Sequence, residues 1–436
     1  MPILGCPGID SRVTLGSGPL RGAHVMDGTL YIVSGGTLYQ KDADNTITTL
    51  GGVISGTGPV SMADNGSELV IVNGTNGYIW SALAGFRLIS DTDFLPADTV
   101  TFMDGFFLFN ATGTGKIFRS ELLDGTSYDS TAFTTAESQS DDLLAVRNHK
   151  QILYALGKSS IELYSNVGAA NFPFQRIPGA TVQRGVAGSF AITDEDESLF
   201  ILGDDRIAYR LNGRSLQRIS THAIETEWQN YATISDVVVF SYTWNGHKFI
   251  CYTFPQIAAT WEFDVATNLW HERESHDRLG NALGRWRANL AISAYSRVYI
   301  GDAFSGKLGT LSNTTYTEFG DDTLAIAVSP PLHDPNGKRL FMPWFELDIE
   351  TGVGLTSGQG SDPQAMMSIS DNGGRSFDPP EVWQSMGKIG EYDGTAYQLR
   401  WDRLGNFFQR CIKIEISDPV RRAIYGARAP ELSSGI

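Results

Sequence analysis

A unit of about 40 residues recurs along most of the chain, and this repeat constrains the fold more than any other feature. In each copy, short apolar segments alternate with Asp-Gly, Asn-Gly or other glycine turns, as in HVMD, GTLYIVS and GTLYQK of residues 22–50. Similar copies follow at 59–90 and 99–122. Because Asp-Gly and Asn-Gly favour two-residue β-hairpins, each copy predicts a small antiparallel meander.

The fourth copy, residues 136–188, has the clearest strand pattern. LLAV, QILYALG and SIELYS are separated by the polar segment 147–150 and by a glycine turn. The next segment, PFQRIPG at 173–179, is polar and contains two prolines, which remove hydrogen bonds from a sheet and therefore favour an outer edge strand. Each copy thus predicts four antiparallel strands.

Further copies at 188–221, 235–275 and 287–320 bring the count to seven. Six units and a linking hairpin would produce a similar sequence. Four strands per repeat at this period are typical of a β-propeller, in which each blade needs neighbours to bury its faces. The sequence therefore predicts an all-β fold, a β-propeller of six or seven blades with an additional C-terminal β-sandwich-like domain.

The repeat ends near residue 320, and three segments are predicted. Residues 1–20 are rich in Gly and Pro and are interpreted as an N-terminal arm or edge strand. Residues 21–320 are the β-propeller, with one short helix within 221–233. Residues 321–436 are a β-sandwich-like docking domain, because QRCIKIEIS alternates polar and apolar residues as half-buried antiparallel strands do.

Composition indicates a turn-rich globular protein, since the 436 residues include 47 Gly and 17 Pro and only 19% are charged. No apolar run approaches the roughly 20 residues of a membrane span, and the N-terminal sequence lacks a secretory signal. No membrane insertion is therefore expected. The net charge of −16 argues against a surface that grips DNA phosphates, but it is compatible with a passage through which DNA slides.

Metal and disulfide sites are not indicated. Cys6, Cys251 and Cys411 are far apart and odd in number, which predicts thiols, two of them inside strands. The acidic run Asp194–Glu197 is interpreted as a solvated turn, with calcium binding as the alternative. Since the seven histidines are scattered, no cofactor or metal is expected.

Two loops attract attention because of their residue types. Residues 273–287 contain four arginines and His276, and are interpreted as a solvated loop between blades. Residues Ser370–Phe377 resemble the Asp-box of sialidases, with Asn372 in the acidic position. That box predicts a structural hairpin whose side chains bond back to their own turn.

No catalytic constellation emerges from the sequence. A glycosidase needs two carboxylates at a fixed separation, and the 49 acidic residues mark no such pair. The conspicuous residues of the fourth copy, Glu137, Gln139, Glu162 and Arg184, are interpreted as edge and loop contacts in a packed assembly. We expect no enzyme and no catalytic, cofactor-binding or metal-binding residue; a propeller glycoside hydrolase or sialidase, or a glycan-binding adhesin, is the alternative.

Three motifs of the fourth copy resemble the packaged-DNA stabilisation proteins of short-tailed bacteriophages (podoviruses), which are tail nozzle or hub subunits. The motifs are AESQSD at Ala136–Asp141, SSIELY at Ser159–Tyr164 and VQRGVAG at Val182–Gly188, in the same order as in that family. The start of the chain around Pro7 and the closing strands from LRWDRLG onward are similar too.

The resemblance implies a structural virion protein of the phage tail, assembled in the host cytoplasm. Such a subunit forms a ring, a homohexamer, that extends the DNA channel below the head-to-tail adaptor, retains packaged DNA and conducts it during ejection. The tail needle, tail fibres or tailspikes are further implied partners. Double-stranded DNA would pass transiently, without specific binding, because an acidic wall repels phosphates.

Overall fold

The computed structural model describes residues 2–136, 141–379, 382–391, 398–430 and 433–434. The chain divides into two compact units. We call residues 11–274 and 283–310 the propeller unit, and residues 1–10, 275–282 and 311–436 the sandwich unit.

The propeller unit contains seven blades, with one short helix between blades 5 and 6. Blades 1 to 6 are sheets of four strands, and the three strands of blade 7 pair with a strand from the N-terminal part of the chain. The elements of this part of the chain are, in order, β1 (Ile3–Leu4) and β2 (Gly8–Thr14); in blade 1, β3 (Leu20–Met26), β4 (Thr29–Ser34), β5 (Thr37–Lys41) and β6 (Ile47–Gly52); in blade 2, β7 (Ser61–Asp64), β8 (Glu68–Val72), β9 (Gly77–Ser81) and β10 (Gly85–Leu88); in blade 3, β11 (Ala97–Met103), β12 (Phe106–Ala111), β13 (Lys116–Glu121) and β14 (Asp124–Thr135); in blade 4, β15 (Leu143–His149), β16 (Ile152–Gly157), β17 (Ile161–Asn166) and β18 (Phe174–Val182); in blade 5, β19 (Ile192–Glu195), β20 (Ser198–Leu202), β21 (Ala208–Asn212) and β22 (Ser215–Arg218); then α1 (His222–Gln229); in blade 6, β23 (Val238–Trp244), β24 (His247–Phe254), β25 (Ala259–Asp264) and β26 (Leu269–Glu272); and in blade 7, β27 (Ala288–Ala294), β28 (Arg297–Asp302) and β29 (Lys307–Ser312).

The first strand of each blade lies nearest the axis of the propeller unit. Neighbouring first strands contact one another at six junctions around the ring, and blades 4, 5 and 6 share one apolar core. The contact between β27 and β3 closes the circle. Because blades cover one another on both faces, second strands such as β20 are buried along their whole length and read as continuous apolar runs rather than alternating ones.

Blade 7 receives its fourth strand from the N-terminus. In this sheet β2 lies next to β29. The Leu15 N–H donates to the Gly306 carbonyl at 2.7 Å, and Arg12 Nε donates to Thr310 Oγ1 at 2.9 Å. Residues 1–20, expected as an arm or edge strand, therefore include the strand that completes the seventh blade, and the blade count is seven.

Side chains of one blade accept hydrogen bonds from backbone N–H groups in the first strand of the next blade. Ser61 Oγ accepts the Val100 N–H at 3.0 Å, and Thr99 Oγ1 accepts the Val146 N–H at 2.8 Å. Thr101 repeats the arrangement two residues further on. An inner strand would otherwise present unpaired N–H groups to the axis, so these bonds stabilise the ring.

Two histidine–aspartate pairs also join neighbouring inner strands. His24 Nε2 lies 2.5 Å from Asp64 Oδ2 between blades 1 and 2, and His149 Nδ1 lies 2.6 Å from Asp194 Oδ2 between blades 4 and 5. Burial raises the pKa of Asp64, but the hydrogen bond and charge of His24 and the Gly66 N–H outweigh burial, so this pKa lies below its ordinary 3.8.

Replacing Asp64 with Asn is expected to lower the melting temperature at neutral pH and to matter less in acid. Because the pKa of Asp64 is lower in the folded than in the unfolded chain, its ionised form stabilises the fold above about pH 4, and this stabilisation is lost as the pH falls through the folded pKa. Melting curves of wild type and Asp64→Asn from about pH 7 to pH 3 measure the difference. A difference that stays constant over this range would contradict the assignment.

The sandwich unit continues the chain after blade 7. Its elements are β30 (Thr317–Glu318), β31 (Asp321–Asp322), β32 (Ala325–Val328), β33 (Leu332–His333), β34 (Leu340–Phe341), β35 (Trp344–Ile349), β36 (Gln364–Ser370), β37 (Trp383–Ser385), β38 (Gln398–Asp402), β39 (Asn406–Phe407), β40 (Gln409–Ile416), β41 (Ala423–Arg428) and β42 (Ser433–Ser434). The sheets β1-β41-β35-β38 and β32-β40-β36-β37 share one apolar core, which includes Leu347 and Ile414. The unit is therefore a β-sandwich, and the alternation predicted for QRCIKIEIS is present from Ile412 to Ile416 of β40, whereas Arg410 and Cys411 are both buried.

The predicted positions of one helix and of two cysteines are also confirmed. Helix α1 begins after the N-cap Thr221, inside the predicted segment 221–233. The three cysteines remain thiols, with Cys251 in β24 and Cys411 in β40, both buried. In the part of the chain that the structure describes, no helix has the length and apolar character needed to span a membrane.

Candidate functional site

Three of the four arginines of residues 273–287 are buried inside the propeller unit. Arg273, Arg285 and Arg287 are 4%, 6% and 6% exposed, so the interpretation as a solvated loop is wrong for them. A buried guanidinium is tolerated only where anionic or carbonyl groups replace water. Each of the three has such partners between blades 6 and 7.

Arg273 belongs to a buried ion pair. Its Nη1 lies 3.1 Å from Glu262 Oε2 and donates to the Tyr242 hydroxyl at 2.9 Å, while that hydroxyl donates to Glu262 at 2.6 Å. The guanidinium also lies 3.7 Å from the centre of the Trp286 ring. Carboxylate, phenol and guanidinium thus satisfy one another, and the group is arranged for stability rather than for reaction with a substrate.

Arg287 and Arg285 extend this arrangement into blade 7. Arg287 Nε and Nη2 lie 3.2 and 3.3 Å from the two carboxylate oxygens of Asp302, which is fully buried. Arg285 donates to the carbonyls of Trp286 and Ala288. Burial lowers the pKa of Arg285 to about 10, although the charge of Asp302 acts in the opposite direction. Ion pairs and hydrogen bonds of these arginines therefore fix the connection between blades 6 and 7.

Of the four conspicuous residues of the fourth copy, the structure describes Glu162 and Arg184. Glu137 and Gln139 lie outside the described residues. Glu162 lies in β17, is 2% exposed, accepts the Tyr164 hydroxyl at 3.0 Å and has Arg176 Nη1 3.8 Å away. The expected edge contact is wrong for Glu162, because the third strand of a blade is covered on both faces.

Arg184 is a loop residue, as expected, and its contacts lie within the chain. Its Nη1 is 3.2 Å from Asp205 Oδ2 and 3.4 Å from Asp204 Oδ1, and its guanidinium stands over the Tyr209 ring. It therefore ties the connection between blades 4 and 5 to a loop of blade 5. A contact of Arg184 with another subunit stays a prediction.

The acidic run Asp194–Glu197 is paired with cations. Asp196 lies 2.8 Å from Lys248 Nζ and 2.7 Å from Arg210 Nη2, and the hydrogen bonds from Lys248 and then Arg210 lower the pKa of Asp196 although burial opposes them. Glu197 lies 3.4 Å from Lys150 Nζ. Within the described ranges, no group of three or more His, Cys, Asp or Glu residues is placed to hold a metal ion. This geometry favours the interpretation as a turn over calcium binding.

The Asp-box-like turn of the sandwich unit bonds back to itself, as predicted. Asn372 Oδ1 accepts the Arg375 and Ser376 N–H groups at 3.1 Å, and Ser370 Oγ accepts the Gly374 N–H at 2.9 Å. Asp371 pairs with Arg410 through both carboxylate oxygens. The turn is a structural hairpin.

The carboxyl groups with a raised pKa are far apart in the ring. Among the described carboxyl groups these are Asp98 and Glu272, and burial is the main cause in both. Glycosidases need their two carboxyl groups within about 10 Å of each other. Asp98 lies in blade 3 and Glu272 in blade 6, two blades that are not neighbours, so these groups do not form such a pair.

The comparison with known families gives a match over most of the chain. A family described as bacteriophage P22 Gp10, beta-propeller, matches residues 3–316, which include all seven blades. The chain belongs to this family. The resemblance that the motifs of the fourth copy indicated is confirmed, and so is the β-propeller fold.

One relative is the tail hub protein gp10 of Salmonella phage P22. It is 23% identical over 429 residues, which cover 88% of this chain and 85% of that protein. Similar solved structures include the computationally designed Ika8 protein, which is 10% identical. The match covers 69% of this chain and 99% of that chain, with a TM-score of 0.40. Another is the extracellular domain of the one component system BT4673 from B. thetaiotaomicron, which is 11% identical. This match covers 88% of this chain and 48% of that chain, with a TM-score of 0.48.

The motif Val182–Gly188, one of the carriers of the resemblance to the P22 Gp10 family, has a packing explanation. A Cβ atom added at Gly185 would lie 2.0 Å from the Lys158 carbonyl oxygen, and one at Gly188 would lie 2.2 Å from that of Ser235. Only glycine lets the connection from blade 4 to blade 5 pass so close to other backbone segments.

Gly185→Ala is therefore expected to lower the free energy of unfolding by about 2 kcal/mol or more, because backbone atoms must move to admit the methyl group. Urea titration followed by tryptophan fluorescence measures the change. The matched control is Gly58→Ala, since a Cβ there meets no atom within 4 Å; we expect its effect to stay within about 0.5 kcal/mol. Equal losses in the two variants would refute the packing explanation.

Proposed function

We propose that this protein is a tail hub subunit of a short-tailed bacteriophage, a structural protein of the virion tail. It extends the DNA channel below the head-to-tail adaptor, retains the packaged DNA and conducts it during ejection. The observation that carries the proposal is the family match over residues 3–316, joined by the similarity to a tail hub protein over 88% of the chain.

The working form in this proposal is a ring of identical subunits, a homohexamer. A cyclic ring requires two different complementary surfaces on each subunit. The sandwich unit offers exposed apolar side chains on both edge strands of one sheet: Ile326 and Val328 in β32 and Trp383 in β37 are each more than half exposed. Apolar side chains on exposed edge strands are typical of surfaces that pair with another chain, which supports the docking role of residues 321–436.

The charge of the chain suits a channel for DNA. Each copy carries a net charge of −16, so a ring concentrates negative charge around its axis. Phosphates are repelled from such a wall, and the duplex moves without specific binding. The head-to-tail adaptor, the tail needle and the tail fibres or tailspikes are the further partners in this proposal.

The role needs no enzyme. The buried carboxylates Glu262 and Asp302 are held by Arg273 and Arg287, and this supports a rigid structural element. Rigidity suits a subunit whose position in an assembly matters more than the reactivity of its side chains.

Particles assembled in a host without this protein test the proposal. We expect heads to package DNA and then lose it, so that the genome becomes sensitive to added nuclease. Supplying wild-type protein or the Gly58→Ala variant restores protection from nuclease. The Gly185→Ala variant restores less protection, because a smaller fraction of it is folded. Particles that retain nuclease-resistant DNA without the protein would contradict the proposal.

A further inference from the structure

Arg147 lies on the inner strand β15, in a segment that the sequence pattern assigns to a polar turn. The structure places residues 147–149 in the strand and leaves Lys150 and Gln151 as the turn. The Arg147 side chain is exposed and makes no hydrogen bond or ion pair with any residue that the structure describes. Nearby protein lowers the pKa of Arg147 by desolvation, and the charge of Asp194 in blade 5 opposes this shift.

Two further polar side chains share this face of blade 4. Arg147 and Tyr154 are directly opposite in the pairing of β15 with β16, and His149 is two residues beyond Arg147, so the three side chains lie on one face of the sheet. The rings of His149 and Tyr154 are 6.1 Å apart. Since Tyr154 belongs to the core that blades 4 and 5 share, this face is turned toward blade 5.

These side chains have unused hydrogen-bonding capacity. His149 is 6% exposed, its Nδ1 lies 2.6 Å from Asp194 Oδ2, and its Nε2 is buried without a partner in the described structure. The Tyr154 hydroxyl likewise has no hydrogen bond to a described residue, and burial followed by the charge of Asp194 raises its pKa, which keeps it a donor. A buried polar atom left unpaired costs about 1–3 kcal/mol, so a ligand that pairs with His149 Nε2 would stabilise the protein.

We propose that Arg147, His149 and Tyr154 form a binding site for a small oxyanion, a phosphate or carboxylate group, on the face of blade 4 that is turned toward blade 5. The guanidinium donates in a fork that fits two oxygens, and the phenol adds one donor. Asp194 orients the ring through Nδ1, and in the protonated ring Nε2–H is the third donor. The repulsion between Asp194 and the anion is offset by this histidine, which lies between them in the proposed arrangement. The site goes beyond the tail role and does not depend on it.

Calorimetric titration of the full chain with sodium phosphate and, separately, with sodium acetate at fixed ionic strength tests the proposal. We expect saturable one-site binding of at least one anion: tighter binding of phosphate assigns a free or esterified phosphate, and tighter binding of acetate assigns a carboxylate. Arg147→Met is expected to weaken binding at least about tenfold. The control Arg297→Met removes an exposed arginine from blade 7 and leaves the affinity unchanged.

Tyr154→Phe separates binding from folding. Because the hydroxyl has no partner in the structure described here, its removal is expected to leave the melting temperature without anion unchanged and to weaken anion binding several-fold. Absence of saturable binding to the wild type, or equal losses in Arg147→Met and Arg297→Met, would overturn the proposal. A Tyr154→Phe variant that melts earlier but binds normally would show that the hydroxyl is structural and would overturn its assigned role.

Discussion

Deletion of residues 1–14 is expected to abolish cooperative folding of the propeller unit. The deletion removes β2, which is the fourth strand of blade 7 and lies next to β29. Without it, the outer edge of β29 and the fully buried Leu308 face water, and the bonds that Arg12 makes across this edge disappear. A whole domain is stable by only about 5–15 kcal/mol, so the loss of one strand from a closed ring is a large fraction of its stability.

Circular dichroism during heating and gel filtration measure this effect. The truncated chain should lose its sharp thermal transition and elute as aggregate or as an expanded species. Deletion of residues 1–7 is the matched control, because it keeps β2 and removes β1, whose Ile3 and Leu4 are more than half exposed. A synthetic peptide of residues 8–14 should partly restore the transition. A truncation 1–14 that melts like the control would contradict the closure of blade 7 by β2.

The second large effect is expected at the buried ion pair between blade 6 and the start of the following connection. Arg273→Met leaves the 3%-exposed Glu262 without its cation and is expected to cost about 3–5 kcal/mol of unfolding free energy. The double variant Arg273→Met with Glu262→Met is expected to lose less than the sum of the single changes, because no uncompensated charge remains.

Urea denaturation of the two single variants and the double variant measures the coupling. Lys158→Met is the control, since Lys158 and Asp142 form a pair at 2.6 Å on the surface, where an ion pair contributes about 0–1 kcal/mol. Additive losses in the double variant, or an effect of Arg273→Met no larger than that of Lys158→Met, would contradict the stabilising role of the ion pair between Arg273 and Glu262.

Turn chemistry explains how far the sequence predicts the blades. Asp27-Gly28 and Asn245-Gly246 adopt left-handed φ angles at both turn positions, as the Asp-Gly and Asn-Gly pattern indicates. Lys150-Gln151 and Tyr295-Ser296 adopt the same conformation without glycine, with φ between 50° and 60°. Strand pairing on both sides enforces these turns, so local residue preferences predict them poorly. The polar segment 147–150 predicts a turn at those four residues, whereas the turn in the structure is Lys150-Gln151.

Long-range contacts explain which features of the fold could not be predicted from the sequence. The bond between Arg12 and Thr310 joins residues 298 positions apart, and no local pattern encodes which edge an N-terminal strand will complete. The burial of Arg287 depends on Asp302, which is brought opposite only by the pairing within blade 7. A cluster of arginines in a connection is expected to be solvated as long as its partners are unknown. The proximity of Arg147 and Tyr154 could not be predicted either, because it depends on the register of β15 and β16.

The central claim is that this chain builds a ring in the phage tail. Electron microscopy of the purified wild-type protein, with rotational averages of end-on views, tests it most directly. We expect closed rings of six subunits with a central opening wide enough for duplex DNA. Uniform single particles of one chain, under conditions in which the thermal transition shows that the protein is folded, would contradict it.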